Sequence, residues 1–281
     1  FWAMCVYYFW KGINSKSKIN WILFGIFSAL GFLSKYLFIY ILASLFLYFF
    51  INIKKYKKFI PNYFLSVLIT LLILTPHFIW LFENNFVTIF YGLNRSAITE
   101  VVFINHIINP IVFSIKQIII LIPFFIMISI LLKNYKIRLN IKSRESLFFL
   151  FITLVPILLI IITSIFTGAK IRTMWMTPFY LFFGTLFIYV LNFKKIKKFY
   201  FIFLFFFFLS PSAYLVISIF DNTKRTDYPG KEISRLVQNK WDENFVNEIK
   251  IVIGDEWSAG NLSYHLNSRP IWINDLKNKA S

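Results

Sequence analysis

Seven apolar runs, at residues 19–34, 36–53, 59–82, 117–132, 146–167, 175–193 and 199–220, fill most of the first 220 positions of this 281-residue chain. Backbone carried through lipid must satisfy its own hydrogen bonds, which a helix does within one segment. The period-two alternation that marks a barrel strand is absent from these runs. The chain therefore reads as mostly α, a polytopic α-helical membrane bundle. Phe1 to Trp10 (FWAMCVYYFW) is also apolar but shorter than the about 20 residues a crossing needs, and it reads as the tail of a further, partial span. It has neither the charged start nor the small-residue cleavage site of a signal peptide.

Composition agrees. Hydrophobic residues make up 58% and charged residues 15%, against about 25% charged in an ordinary soluble domain. That excludes a simple soluble globule and a disordered chain, and the single cysteine, Cys5, excludes a disulfide scaffold. The formal net charge of +18 raises nucleic-acid binding, and the placement of the charge answers it. If the loop after Trp10 lies in the cytoplasm and the chain crosses at every run, the basic clusters 11–18, 54–58, 133–144 and 194–198 all fall on that side. Together they hold sixteen of the 30 Lys and Arg, and Glu145, next to the third cluster, is the one acidic residue on that side. This is the positive-inside pattern. It sets seven full spans plus one partial span in residues 1–220, and no nucleic-acid partner is called for.

Residues 221–281 are polar and form a separate outer segment. Pro229 suits the start of a helix carrying Lys231, Ile233, Leu236, Val237 and Trp241. Short strands at 249–253 and 270–273 flank a turn and helix at 255–266, the pattern of a parallel βαβ unit. Asp255-Glu256 reads as a helix N-cap or as a carboxylate pair. Two strands are too few for a stable sheet alone, so the segment reads as incomplete or as packed on the membrane domain.

Soluble-enzyme motifs are absent: no Gly-rich phosphate loop, HExxH, CxxC or nucleophile elbow. The three histidines, His77, His106 and His265, are far apart, so no metal site is expected. A divalent cation is the one cofactor left open. What stands out is the minority of cations on the outer side. Lys35 lies between two apolar runs, where an ammonium either snorkels into headgroups or meets an anion. Lys170 and Arg172, in Gly168-Ala-Lys-Ile-Arg-Thr-Met-Trp175-Met-Thr-Pro178, run against the positive-inside trend. The outer loop 83–116 holds Glu83, Arg95, Glu100, His106 and Lys116, with Phe86, Ile89, Phe90 and Leu93 spaced for a helix lying flat on the membrane. Lys35, Arg95, Lys170 and Arg172 are the candidates to hold a lipid phosphate. His77, Glu83, His106 and Trp175 are the candidates to meet an acceptor or line a cavity.

Several of these segments resemble one family. Trp21 to Gly25 with Ala29-Leu-Gly-Phe-Leu-Ser-Lys35-Tyr36, Thr75-Pro-His77-Phe-Ile-Trp80 with Glu83-Asn84, Asn109-Pro110 through Gln117 and Pro123, and Arg172 to Pro178 are similar to membrane glycosyltransferases related to protein O-mannosyltransferases. Asp227 to Glu232 and Gly254 to Asn261 resemble the C-terminal part of its bacterial members. The group includes the aminoarabinose and galacturonic-acid transferases that decorate bacterial lipopolysaccharide. The resemblance implies a GT-C fold, a polyprenyl-phosphate-linked sugar donor, a lipid, glycan or protein acceptor, and transfer on the outer face of a bacterial inner membrane. It also implies a catalytic Asp in the first outer loop. The first Asp here is Asp221, so the resemblance places the catalytic one upstream of Phe1 and reads the chain as part of a longer enzyme. Two other functions compete. A transporter or flippase of lipid-linked saccharide predicts internal symmetry and charges near mid-span. A non-catalytic scaffold predicts that the outer cations are dispensable.

Overall fold

A computed structural model describes residues 1–96, 102–132, 143–191, 197–220 and 227–273. Glu100, residues 221–226 and most of the basic clusters 133–144 and 194–198 lie outside the described residues. The chain divides into two compact units, Phe1–Phe206 and Phe207–Ser281.

The described residues of the first unit are mostly helical. The apolar tail becomes α1 (Trp2–Asn14), followed by α2 (Lys18–Ser34), a 3-10 turn over Tyr36–Phe38, α3 (Ile39–Ile51), a short α4 (Ile53–Tyr56) and α5 (Ile60–Glu83). Next come α6 (Val87–Arg95), α7 (Asn105–Leu132), α8 (Arg144–Thr167), a 3-10 segment over Thr173–Tyr180 and α9 (Phe183–Leu191). The unit boundary falls inside α10 (Lys197–Phe220). Among the described residues, four helices are long and apolar enough to cross a membrane, at 53–83, 105–130, 144–167 and 200–220. Lys18–Ser34 and Tyr36–Ile51 are apolar but shorter.

Two of the expected spans differ. The loop expected over 83–116 ends early, because α7 begins at Asn105 and takes in everything to Lys116. Pro110 sits inside that helix as an interior proline near its first turns. The run 175–193 is divided. Pro178, with no N–H to donate, falls in the 3-10 segment, and regular helix resumes only at Phe183.

Lipid is as apolar as the side chains, so these helices are held by close packing rather than by exclusion from water. Gly25 lets α2 approach α5: a Cβ there would stand 2.6 Å from the Ser66 carbonyl oxygen. Thr70 Oγ1 donates to the Gly25 carbonyl at 3.0 Å across the same contact. The core beside it is aromatic. Phe9 is fully buried and meets Trp21, Phe24, Tyr48, Phe49 and Phe148 at ring distances of 5.3–6.4 Å.

Three chain ends converge on Arg144. Its Nε donates to Tyr56 Oη at 2.9 Å, and its guanidinium lies 4.9 Å from the Trp10 ring and 5.3 Å from the Tyr56 ring. The ends of α1, α4 and α8 that carry Lys11, Lys54, Lys55 and Arg144 therefore meet at one end of the unit. The turns after α2, α5 and α8 lie at the other end.

In the second unit Pro229 precedes α11 (Gly230–Asp242), and β1 (Ile251–Ile253), α12 (Ser258–His265) and β2 (Ile271–Ile273) follow. The strands pair in parallel, Ile251 opposite Ile271 and Ile253 opposite Ile273. Ile249, Val252, Ala259 and Leu266 form its small core with Val237, Trp241 and Leu262. Leu236, placed on the helical face by spacing, is 70% exposed. Asp255 Oδ1 accepts from the backbone N–H groups of Trp257 and Ser258 at 2.8 and 3.0 Å, the helix-capping option. Those bonds, Ser258 first, hold its carboxyl below the usual carboxylate range.

Candidate functional site

The end of the first unit opposite Arg144 is organised by α6. At the corner from α5, Asn85 and Phe86 take positive φ values of 48° and 55°. The Phe86 N–H closes back on the Leu81 carbonyl at 2.8 Å and the Asn85 N–H on the Phe82 carbonyl at 3.4 Å, a Schellman-type ending. A left-handed conformation is tolerated by Asn and unusual for Phe, so the corner is held by its surroundings. The nine residues of α6 then run with Val87, Ile89, Phe90 and Tyr91 exposed, whereas Phe86 and Leu93, placed by spacing on the same face as Ile89 and Phe90, are half-buried.

Both ends of α6 are tied down. Near its start, Tyr36 Oη sits between Thr88 Oγ1 at 2.7 Å and His77 Nε2 at 2.9 Å. This hydroxyl joins the turn after α2, the last turns of α5 and the first turn of α6. His77 is also stacked on Trp80, with centroids 6.0 Å apart and planes at 13°. Lys35 precedes Tyr36 and is exposed. Packing around its ammonium disfavours the charged form and lowers its pKa, an effect that an anionic ligand would offset.

At the other end of α6, two carbonyls reach the turn after α8. The Lys170 N–H donates to the Ser96 carbonyl at 2.9 Å, and Arg172 Nε donates to the Arg95 carbonyl at 3.2 Å. Gly168 supplies the left-handed residue that ends α8, at φ 66°. Asn109 Nδ2, on α7, donates to the Gly168 carbonyl at 2.7 Å, and Ser164 Oγ donates to the Ala169 carbonyl at 2.7 Å. The turn 168–172 is thus pinned from α6, α7 and α8 together. Arg172 spends one of its five N–H donors on a carbonyl, which fixes the guanidinium while leaving its other edge for an anion. The Arg95 guanidinium lies 5.5 Å from the Tyr91 ring.

The structure therefore brings Lys35 and His77 to one end of α6 and Arg95, Lys170 and Arg172 to the other. Thr88 and Arg95 are seven residues apart, about 10 Å along the helix. His106 joins from α7: its Nδ1 donates to the Ile165 carbonyl at 2.8 Å, so Nε2 of the neutral ring is the acceptor. Trp175 is half-buried and its N–H donates to the Arg172 carbonyl at 3.0 Å. Glu83 is exposed as the last residue of α5, and no hydrogen bond described here joins it to the network. Among the described residues no group of three or more His, Cys, Asp or Glu could hold a metal ion. Sequence reasoning singled out the cations and missed the groups that position them: Tyr36, Thr88, Ser96, Asn109 and Ser164.

Residues 1–80 match the dolichyl-phosphate-mannose-protein mannosyltransferase family. The matched stretch runs from α1 to Trp80 and includes Lys35, Tyr36 and His77. It points to a membrane glycosyltransferase. No curated protein and no solved structure matches the chain.

Proposed function

We propose that the protein is an integral-membrane glycosyltransferase. It takes a sugar from a polyprenyl-phosphate-linked donor and passes it to a lipid, glycan or protein acceptor on the outer face of a bacterial plasma membrane. The observation that carries this reading is the hydrogen-bonded assembly around α6, which gathers Lys35, Arg95, Lys170 and Arg172 at one end of a bundle whose first 80 residues match the dolichyl-phosphate-mannose-protein mannosyltransferase family.

The chemistry follows from the parts. When the sugar leaves its lipid phosphate, negative charge grows on the phosphate oxygens. Fixed cations aimed there stabilise the transition state more than the ground state. Arg172, oriented by the Arg95 carbonyl, supplies a forked donor. Lys35 and Lys170 supply point charges. Acceptor activation needs a base within hydrogen-bond reach of the attacking hydroxyl or amine. His106 Nε2 takes that role or orients the acceptor. The described residues hold no cluster of His, Cys, Asp or Glu that would fit a resident divalent cation. Outward transfer matches the grouping of basic stretches at the Arg144 end, which the positive-inside rule places in the cytoplasm.

The test is donor choice. The complete reading frame, purified into liposomes, is supplied with labelled sugar on polyprenyl phosphate or on a nucleotide. Transfer from the lipid-linked donor alone supports the reading. Transfer from the nucleotide sugar alone sinks it.

A further inference from the structure

Lys116 is a cation of the expected outer loop that the fold moves. Sequence spacing left it at the edge of an outer loop, and the structure places it inside α7, one of the four helices long and apolar enough to cross a membrane. The helix has 28 residues, about 42 Å of rise against a hydrocarbon core of about 30 Å. Below Lys116 the run 117–132 carries no charge and extends about 24 Å. Above it, Ile107, Ile108, Ile111, Val112 and Ile115 are exposed and apolar. Lys116 is itself exposed. Lipid-facing side chains therefore flank the ammonium on both sides, where an unaccompanied charge costs a few kcal/mol.

Its position on the helix is as informative as its depth. Phe113 and Gln117 are buried against the rest of the unit, at 2% and 5% exposure, and Lys116 borders that buried stripe. Gln117 accepts from Tyr180 Oη, while its buried Nε2 has no hydrogen-bond partner. A polar ledge thus interrupts an otherwise apolar seam at this level. Asn109, seven residues earlier, holds the Gly168 carbonyl of the turn that carries Lys170 and Arg172. Seven residues are two turns, so Lys116 lies about 10 Å below Asn109 on nearly the same side of α7. Helical side chains lean toward the N-terminus, which directs the ammonium up toward that turn.

We propose that Lys116 holds a lipid-borne phosphate at the membrane flank of α7. It would be the first contact of a lipid-linked donor arriving from within the bilayer, before the phosphate reaches Lys170 and Arg172. The assignment rests on the transferase reading only for what happens next, since phosphate holding is measurable without turnover. The shared chemistry is a phosphate on a lipid, carried either by polyprenyl phosphate or by a bulk anionic phospholipid.

The experiment compares wild type, Lys116→Met and Lys116→Arg in phosphatidylcholine nanodiscs, doped in one arm with polyprenyl phosphate and in the other with phosphatidylglycerol. The retained lipid is quantified by native mass spectrometry. Lys116→Met should retain about tenfold less of the cognate lipid, the loss of one charge-assisted contact, and Lys116→Arg should keep most of it. The arm in which the loss appears names the source. Equal retention by Lys116→Met and wild type in both arms overturns the proposal, leaving Lys116 as a snorkelling side chain. Polyprenyl phosphate held through Lys116 by a protein that transfers no labelled sugar from the polyprenyl-phosphate-linked donor in liposomes sinks the transferase reading and leaves this one standing. Sugar transfer in liposomes with lipid retention unchanged by Lys116→Met does the reverse.

Discussion

Tyr36 shows how little of a site's positioning is written in local spacing. Lys35 stands out because a lone cation between apolar runs is anomalous. Tyr36 beside it looks like one more aromatic residue in a chain with 15 tyrosines. Its hydroxyl nevertheless connects α5 and α6 through His77 and Thr88, which lie 41 and 52 positions away in the chain. Each such bond is worth about 1 kcal/mol. Tyr36→Phe keeps the ring and should lower kcat/KM for the lipid-linked donor by about tenfold, with Thr88→Val showing a smaller fall and no further loss when the two are combined. Full additivity in that double variant would show that the hydroxyl does not act through α6. The pinning of the 168–172 turn was equally hidden, since Ser96, Arg95 and Gly168 take part through backbone carbonyls, which no side-chain pattern announces.

Elements were more legible than contacts. The apolar runs mark the helices because lipid leaves the backbone no other arrangement. The spacing of Phe86, Ile89, Phe90 and Leu93 marks α6, and the parallel β1–β2 pair follows from two short apolar strands around a helix. The misses have one cause. Lys116 was placed at the end of an outer loop, yet a single cation and an interior proline are both tolerated where neighbouring groups accommodate them, and α7 runs through Pro110 and Lys116 alike. Pro178 acted in the opposite sense and left a 3-10 segment where a continuous span was expected. Helix contact also rests on small residues. A side chain at Gly25 would meet the Ser66 carbonyl, which cannot yield as a flexible side chain would. Gly25→Val should therefore destabilise the first unit by about 1–3 kcal/mol, read from unfolding in mixed micelles. Wild-type stability in that variant would show that α2 and α5 do not approach as closely as described.

On the scale of the first unit, described cations gather at two ends. Lys11, Lys54, Lys55 and Arg144 lie where α1, α4 and α8 meet around Trp10 and Tyr56. Lys35, Arg95, Lys170 and Arg172 lie around α6 at the other. Cys5 is the only cysteine and is fully buried, so single cysteines introduced at Lys16, Lys57, Lys35 and Lys170 can be labelled over a quiet background. In oriented vesicles the first two should react with an impermeant maleimide from one side and the last two from the other. Labelling of all four from one side would dissolve the division. The most direct measurement of the central claim is steady-state transfer from a polyprenyl-phosphate-linked sugar by the Lys35→Ala, Arg172→Ala double variant of the complete protein. Two charge-assisted contacts to the departing phosphate predict a fall in kcat/KM of about a hundredfold or more, with the bundle still folded and α6 still in place. A folded double variant that transfers sugar as fast as wild type would contradict the account.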